Sequence, residues 1–259
     1  MIESRYRHRR ARPARKPPGA QPSSLAVWLY GRHAVSAALE NPARRCLRLL
    51  VAREEGRPVP AAPLGPKPEP VSRAELDRLL PGAVHQGMAL LAEPLPEATL
   101  DEALSKGGGG SVVVLDQVTD PQNIGAILRS AAAFGAACVV LQERHAPAAT
   151  GALAKAASGA LELVPLVREV NLARALETLK ESGYWCVGLD PEASEPLHRA
   201  KPAGRPVALV LGAEGKGLRA LVARHCDGLA RLPIRTNVDS LNVSNAAAVA
   251  LYELARASD

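Results

Sequence analysis

The part of the chain after residue 111 alternates short apolar runs with helical patterns, and this alternation restricts the fold more than any other feature. Apolar runs rich in β-branched residues predict strands, and apolar residues three or four apart predict helices. The predicted strands are 112–115, 138–141, 164–167, 185–189, 207–211 and 229–234, and the predicted helices are 123–134, 152–157, 172–179, one after 217 and one opened by the polar run from 238. Such alternation forms an α/β layer, in which ligands bind beyond the carboxyl ends of the strands.

A shorter α/β pattern precedes this layer. Its predicted elements are a strand at 27–30, a helix through Ala34, Ala38 and Leu39, strands at 46–51 and 88–91, and a helix with Leu76, Leu79 and Leu80. Ser72 and Glu75 form a capping-box pattern at the start of the second helix. Prolines recur between residues 56 and 70, and we expect a loop there because proline breaks helices.

These patterns divide the chain into four parts. We expect a disordered basic tail, a small α/β domain, a glycine-rich linker and a larger α/β domain, at 1–24, 25–97, 98–110 and 111–259. The run from Lys106 to Ser111 contains four consecutive glycines but lacks the G-x-x-x-x-G-K-[ST] spacing of a phosphate loop. Glycine-rich runs without that spacing are typical of flexible linkers.

Positive charge is concentrated at the amino terminus. Residues 1–20 carry seven Arg or Lys side chains against one Glu, and the net charge of the whole chain is +6, so the remaining body is electrically balanced. A basic arm of this kind attracts nucleic-acid phosphates, and the alternative interpretation is a tail that only aids solubility.

Several classes of protein are disfavoured by the sequence. No run of about 18 apolar residues is present, so a membrane span is not expected. The tail has no apolar core of a secretory signal, and its prolines disfavour a mitochondrial presequence. The four cysteines are scattered without C-x-x-C spacing, which favours reduced thiols over disulfides or a zinc site. We therefore expect a cytoplasmic protein without a metal ion.

Three polar segments follow predicted strands of the larger domain. In the first, Asn123 leaves a strand-to-helix loop, and Arg129 lies further along on a face otherwise made of Ala and Leu. An unpaired arginine against apolar surface is costly, so we expect an anionic partner for Arg129. That partner is either a ligand phosphate or ribose, or a structural carboxylate such as Glu143 or Glu214.

The second and third segments add glycines, amides and hydroxyls. Glycines at 212, 215 and 217 let the backbone approach a ligand closely, although their spacing is not that of a dinucleotide site. Glu214, in that turn, is a candidate for binding a ligand hydroxyl, for neutralising Arg129, or for lying at the surface. Ser240 and Asn242 open the terminal helix, either as part of a small polar site or as an ordinary cap.

Together the three segments resemble the SPOUT superfamily of RNA methyltransferases, in its SpoU/TrmH branch of ribose 2'-O-methyltransferases. The resemblance is carried by D-P-Q-N-I-G-A-I-L-R from Asp120, L-G-A-E-G-K-G-L from Leu211 and S-L-N-V-S-N-A from Ser240. The motifs Y-G-R-H-A-V from Tyr30 and G-A-V-H-Q-G from Gly82 are similar to the substrate domain of the RlmB-type 23S rRNA guanosine methyltransferases.

This resemblance implies a parallel sheet with a C-terminal trefoil knot, S-adenosylmethionine as cofactor, RNA as substrate and a homodimer. The residues that match cofactor-binding positions are Leu211, Gly212, Ile234 and Leu241. The residues that match catalytic positions are Arg129, Asn123, Glu214, Ser240 and Asn242. In the small domain, Arg32, His85 and Gln86 are candidate RNA contacts, with His85 alternatively a half-buried strand residue.

Arginine stays protonated near neutral pH, which makes Arg129 a better phosphate clamp than a proton acceptor. We expect Arg129 to grip the phosphate beside the reacting ribose while Asn123, Ser240 and Asn242 orient the reacting groups. The main interpretation is a 2'-O-methyltransferase that modifies a guanosine of 23S rRNA. The alternatives are a methyltransferase acting on tRNA, a non-catalytic RNA-binding assembly factor and a small-molecule α/β enzyme. With one Phe and two Trp in the chain, RNA recognition should depend on phosphates and shape rather than on stacking.

Overall fold

The structure is a computed structural model that describes residues 25–53, 65–144, 150–200, 202, 204–235 and 240–256. The predicted basic tail at 1–24, most of the proline-rich loop, and the start of the polar run at 238 and 239 lie outside these residues.

The first sheet contains four strands from the amino-terminal part of the chain, in the order β1-β4-β2-β3. Its elements are β1 (Val27–Tyr30), α1 (Arg32–Glu40), β2 (Cys46–Ala52), β3 (Pro68–Val71), α2 (Arg73–Leu79) and β4 (Met88–Ala92). Strand β4 pairs antiparallel with β1 and β2, whereas β3 pairs parallel with β2. The capping box predicted at Ser72 and Glu75 is present and opens α2.

Strand β3 corrects the prediction of a loop as far as residue 70. Pro68 and Pro70 lie opposite Leu49 and Val51 in the parallel register with β2. Proline cannot donate a ladder hydrogen bond, but β3 is the edge of its sheet, where one side of the strand needs no partner. The prolines therefore exclude a helix without excluding an edge strand.

The second sheet contains six parallel strands in the order β10-β8-β9-β5-β6-β7, which confirms the predicted α/β fold around a parallel sheet. Its strands are β5 (Val112–Asp116), β6 (Cys138–Gln142), β7 (Leu166–Glu169), β8 (Trp185–Leu189), β9 (Val207–Gly212) and β10 (Gly228–Ala230). The helices from this part of the chain are α3 (Leu100–Lys106), α4 (Pro121–Ala133), α5 (Gly151–Ala157), α6 (Leu172–Glu181), α7 (Leu197–Ala200), α8 (Ala220–His225) and α9 (Val243–Arg256).

Alternate residues of β5 separate the two faces of this sheet. Val113 and Leu115 belong to a core formed with α4, α5 and α9, whereas Val112 and Val114 belong to a core formed with α3, α6 and α8. Side chains of a strand point alternately to opposite faces, and a sheet covered on both faces needs apolar residues at every position. Residues 112–115 are accordingly apolar and buried, and Asp116 at the end of the strand is a buried exception to the apolar pattern.

Helix α3 corrects the prediction of a flexible linker over 98–110. Thr99 and Glu102 form a capping box, and Leu100 and Ala103 are buried against the large sheet. In the turn that follows, a Cβ atom on Gly110 would lie 2.2 Å from the Gly135 carbonyl oxygen. Glycine here permits close packing, whereas its abundance in the sequence had indicated a flexible linker.

A buried ion pair joins the two sheets. Glu162 ends the 3₁₀ turn Ala160–Glu162 after α5, and its carboxylate accepts hydrogen bonds from the Arg44 guanidinium (2.5 and 3.1 Å) and the Asn41 amide (2.8 Å). The Arg44 and Glu162 side chains are 2% and 4% exposed. Apolar residues of the small sheet, such as Leu29, share one continuous core with α4 and α5.

None of the helices in the described ranges combines the length and apolar character that crossing a bilayer requires. The four cysteines are free thiols. Burial raises the pKa of Cys138 to about 12, so this thiol stays protonated near neutral pH.

The Arg44 and Glu162 pair generates a prediction about stability. Arg44→Ala leaves the Glu162 carboxylate buried without its charged partner, and should lower the free energy of unfolding by about 3–5 kcal/mol in urea denaturation. Arg48→Ala is the matched control, because Arg48 and its partner Glu69 have side chains 51% and 46% exposed and should contribute little. Equal losses in the two variants would contradict this assignment.

Candidate functional site

Three segments converge beyond the carboxyl ends of the central strands. Strand β5 ends at Asp116 beside Gly212, the last residue of β9. Asp120 accepts a hydrogen bond from the Gln122 amide (3.1 Å) and caps α4, which begins with Pro121 at a position where no amide hydrogen is needed. This cap places Asn123 in the first turn of α4, facing the loop after β9.

A hydrogen-bonded cluster of Asn123, Glu214 and Asn242 unites the three segments. Glu214 Oε1 accepts from Asn242 Nδ2 (2.6 Å), from Asn123 Nδ2 (3.3 Å) and from the backbone amide of Val243 (3.3 Å). Asn242 Nδ2 also donates to Asn123 Oδ1 at 3.1 Å. Three residues predicted separately from the sequence thus form one network.

Asn242 also caps the terminal helix, as the alternative interpretation of this segment predicted. Its Oδ1 accepts from the backbone amides of Ser244 (2.9 Å) and Asn245 (3.4 Å) and from the Ser244 hydroxyl (2.6 Å). The Glu214 carboxylate lies at the same helix start, where negative charge is favourable. The oxygen of the Asn242 carboxamide therefore caps the helix, and its nitrogen joins the cluster with Glu214 and Asn123.

The loop after β9 is folded tightly on itself. A Cβ atom on Gly212 would lie 2.1 Å from the backbone carbonyl carbon and oxygen of Gly217, so only glycine fits there. The Gly217 amide donates to the Ala213 carbonyl (2.9 Å) and closes the turn. This closure holds Glu214 at the tip of the loop.

Asp116 and Arg219 hold the far end of this loop, and the sequence analysis did not identify them. Asp116 is fully buried, and its carboxylate accepts from the Arg219 backbone amide (2.9 Å) and from Arg219 Nε (2.7 Å). A carboxylate at the end of an otherwise apolar strand was the available signal, because a buried charge requires a partner.

A cavity of about 290 Å³ opens among these segments. Its lining is mainly apolar or backbone, with the polar side chains of Asp190, Glu214 and Ser240. All four residues predicted to bind a cofactor line this cavity: Leu211, Gly212, Ile234 and Leu241. An apolar cleft with a few polar groups is the usual form of a small-molecule site, and its volume is near the lower end of the common range.

Arg129 differs from the expectation in two respects. It lies on the exposed side of α4, so the expected cost of leaving it unpaired against apolar surface does not arise, and it does not line the cavity. Among the described residues it pairs with neither Glu143 nor Glu214. A solvated guanidinium needs no structural carboxylate, because water stabilises its charge.

His85 is a buried structural residue, which corrects its assignment as an RNA contact. It is 2% exposed; Nε2 lies 2.8 Å from Asp77 Oδ1, and Nδ1 accepts from the Gly87 amide at 3.1 Å. Since Nδ1 accepts, Nε2 carries the hydrogen and donates to Asp77. Asp77 lies eight residues earlier in α2 and was not recognised from the sequence as the partner of this histidine.

Gln86 and Arg32 lie together at the junction of the two sheets. Gln86 has a left-handed backbone (φ 51°), and its Oε1 accepts from the Arg32 amide (3.2 Å) and the Lys155 ammonium (2.6 Å).

Across the described ranges, no group of three or more His, Cys, Asp or Glu side chains is placed to hold a metal ion.

Comparison with known families explains why these segments occur together. The model of the SpoU rRNA Methylase family matches residues 110–252, and a second model, RNA 2'-O ribose methyltransferase substrate binding, matches residues 28–98. The first match covers more than half of the chain and contains the whole cavity and cluster. The chain belongs to the SpoU rRNA methylase family.

Two curated relatives match this SpoU methylase over nearly their whole length. The 23S rRNA (guanosine-2'-O-)-methyltransferase RlmB of Haemophilus influenzae is 41% identical over 242 residues, which cover 90% of this chain and 98% of that protein. RlmB of Vibrio parahaemolyticus is 39% identical, with coverages of 88% and 96%. The crystal structure of AviRb from Streptomyces viridochromogenes with AdoMet has the same fold, with a TM-score of 0.75, 24% identity and 90% coverage of both chains.

The loop after β9 in this SpoU methylase generates a prediction. Gly212→Ala should lower the free energy of unfolding by about 1–3 kcal/mol, because the added methyl group forces the turn away from Gly217. Gly228→Ala, in β10, is the control, since a Cβ there meets nothing within 4 Å. Thermal and urea denaturation measure both, and an undisturbed Gly212→Ala variant would contradict the close approach.

Proposed function

We propose that this SpoU-family protein transfers the methyl group of S-adenosylmethionine to a ribose 2'-hydroxyl of RNA, and that its substrate is a guanosine of 23S rRNA. The observation that carries the proposal is the similarity to RlmB at about 40% identity, which runs through both sheets rather than through the methylase part alone. Acting on ribosomal RNA, the protein would work in the cytoplasm.

The cavity residues suit the proposed cofactor. Leu211, Ile234 and Leu241 offer apolar walls for an adenine ring, and Gly212 lines the cavity beside them. When bound, S-adenosylmethionine supplies an electrophilic methyl group on a sulfonium, a good leaving group. The residues around it then have to position the ribose oxygen and hold its surroundings.

Arg129 is the proposed clamp on the phosphate beside the reacting ribose. Arg129 is exposed about 1.7 turns of α4 beyond Asn123, on the helix that begins at the site. Arginine binds phosphate through two parallel hydrogen bonds and stabilises negative charge developing on a nearby oxygen. Because a guanidinium is a donor without an acceptor site, the proton of the hydroxyl passes to phosphate or to water.

Asn123, Ser240 and Asn242 are the proposed orienting residues. The carboxylate of Glu214 holds the amide groups of Asn123 and Asn242, so those side chains are already ordered before RNA arrives. Ser240 brings a hydroxyl to the edge of the cavity. Ordered groups lower the entropic cost of aligning the hydroxyl with the methyl group.

We also propose the trefoil knot and the homodimer that the family resemblance implies. Strand β10 lies at the edge of the large sheet, yet the later helix α9 packs against α4 and β9 nearer its centre, which is compatible with a threaded return of the chain.

The support for the homodimer is apolar exposure on α9, where Val249 and Tyr252 are 49% and 55% exposed. Sedimentation velocity tests the dimer.

The proposed activity predicts transfer of labelled methyl groups from S-adenosylmethionine to unmodified 23S rRNA, with the label in the 2'-O-methylguanosine fraction after nuclease digestion. Unmodified tRNA serves as the second substrate. Calorimetric titration of the protein with S-adenosylmethionine separates an enzyme from a non-catalytic RNA-binding factor. Binding without transfer to either RNA would overturn the proposal, and transfer to tRNA alone would correct the substrate.

The clamp predicts a specific loss in variants of Arg129. Arg129→Ala should reduce kcat by about 100-fold, and Arg129→Lys by about tenfold, because lysine keeps the charge without the planar fork. Affinity for S-adenosylmethionine should not change, since Arg129 does not line the cavity. Arg174→Ala, an exposed position on the opposite face of the sheet, is the control. Full turnover by Arg129→Lys would exclude bidentate clamping.

A further inference from the structure

Lys155 lies at the junction between the two sheets, outside the cavity and the Glu214 cluster. It belongs to α5, and its ammonium donates to Gln86 Oε1 at 2.6 Å, an acceptor contributed by the small sheet's part of the chain. The backbone amide of Arg32 donates to the same oxygen at 3.2 Å. A cation from one part of the chain and a carboxamide from the other thus meet at one point.

The Lys155 side chain is held in place by packing. A Cβ atom on Gly31 would lie 2.5 Å from Lys155 Nζ and 2.6 Å from its Cδ, so the lysine chain occupies the space that a side chain at this position would fill. Gly31 has a φ of 86°, which favours glycine independently of that contact. The ammonium is therefore positioned at the junction rather than swinging freely in solvent.

The charge of Lys155 is not neutralised within the described part of the chain. There its ammonium makes no ion pair with a carboxylate, and Gln86 is the neutral acceptor of one of its three N–H donors. Partial burial lowers the pKa of Lys155, because its charge is desolvated without a nearby anion to offset the loss. A partly desolvated ammonium with unused donors is suited to an anionic ligand.

The buried histidine explains how Gln86 reaches this position. His85 binds Asp77 through one ring nitrogen and the Gly87 amide through the other, which fixes the turn on both sides of Gln86. Gln86 itself adopts the left-handed conformation, which is uncommon for a residue with a side chain. The motif H-Q-G thereby presents a carboxamide to Lys155 instead of contributing its imidazole to a ligand.

The junction also lies close to the helix that carries the candidate catalytic residues. Helix α5 packs directly on α4, where a Cβ atom on Gly125 would lie 2.4 Å from the Ala156 Cβ atom. Ala156 follows Lys155, and Gly125 lies between Asn123 and Arg129. An extended RNA strand that reaches Asn123 and Arg129 can therefore continue over α5 to the small sheet.

We propose that Lys155, presented by Gln86, binds a backbone phosphate of the RNA substrate at the junction of the two sheets. The proposal rests on the proposed function and adds a phosphate contact between the small sheet and the reacting ribose. An ammonium binds phosphate as a point charge, so this contact positions the RNA strand without reading its bases.

The test measures RNA affinity against salt concentration. Lys155→Met should weaken binding of unmodified 23S rRNA about tenfold at 0.1 M salt and make the slope of log K against log salt shallower by about 1, as expected for one lost phosphate contact. The KM for RNA should rise while kcat and the affinity for S-adenosylmethionine are retained. Lys155→Gln should behave in the same way, and Lys155→Arg should keep the slope.

Lys106→Met is the matched control, because Lys106 is exposed at the end of α3 on the opposite face of the large sheet. An unchanged salt slope in both neutral Lys155 variants, or an equal change in Lys106→Met, overturns the proposal. A lysine that serves only to hold Gln86 would alter thermal stability and leave the slope intact. Failure of the wild-type protein to methylate any RNA would instead count against the proposed function.

Discussion

The carboxylate of Glu214 is the interaction on which the site depends. One of its oxygens accepts hydrogen bonds from Asn242, Asn123 and the start of α9, and so it connects segments that are 91 and 28 residues away from it in sequence. A hydrogen bond to an ionised carboxylate is stronger than one between neutral groups. At the start of α9 the carboxylate also satisfies an amide hydrogen that the helix itself leaves unpaired. Its own position follows from the turn at Gly212 and from Arg219, which the buried Asp116 holds.

A second constraint is the close contact between the two sheets. The buried pair of Arg44 and Glu162 and the contact of Gln86 with Lys155 both link the small sheet to the segment formed by α5 and the turn that follows it. Because α5 packs on α4, the orientation of the small sheet is connected to the helix that begins at the cluster. The proposed RNA contacts and the reacting groups are thus connected through packed helices, whereas the glycine-rich segment had suggested a flexible linker.

Local patterns predicted most of the architecture, and the exceptions have identifiable causes. The parallel strands and the capping box at Ser72 follow from periodicity and capping, and the helix predicted at 123–134 is present as Pro121–Ala133. The strand at Pro68–Val71 was missed because edge positions tolerate proline, and α3 was missed because the glycines beside it suggested mobility. In both cases the outcome depends on where the segment lies relative to a sheet, at its edge for β3 and against its face for α3. Local composition does not encode that position.

By itself the sequence determined the α/β alternation and the three motif segments, since these depend on residue type and on position at a strand end. The family resemblance added Leu211, Gly212, Ile234 and Leu241, which are among the residues that line the cavity. Only the tertiary structure decided that Asn123, Glu214 and Asn242 share one network, that His85 is buried against Asp77, and that Arg129 is solvated. Contacts such as Gln86 with Lys155, 69 residues apart, depend on how helices stack on the sheet. Packing of whole elements, rather than any local pattern, decides which polar groups meet.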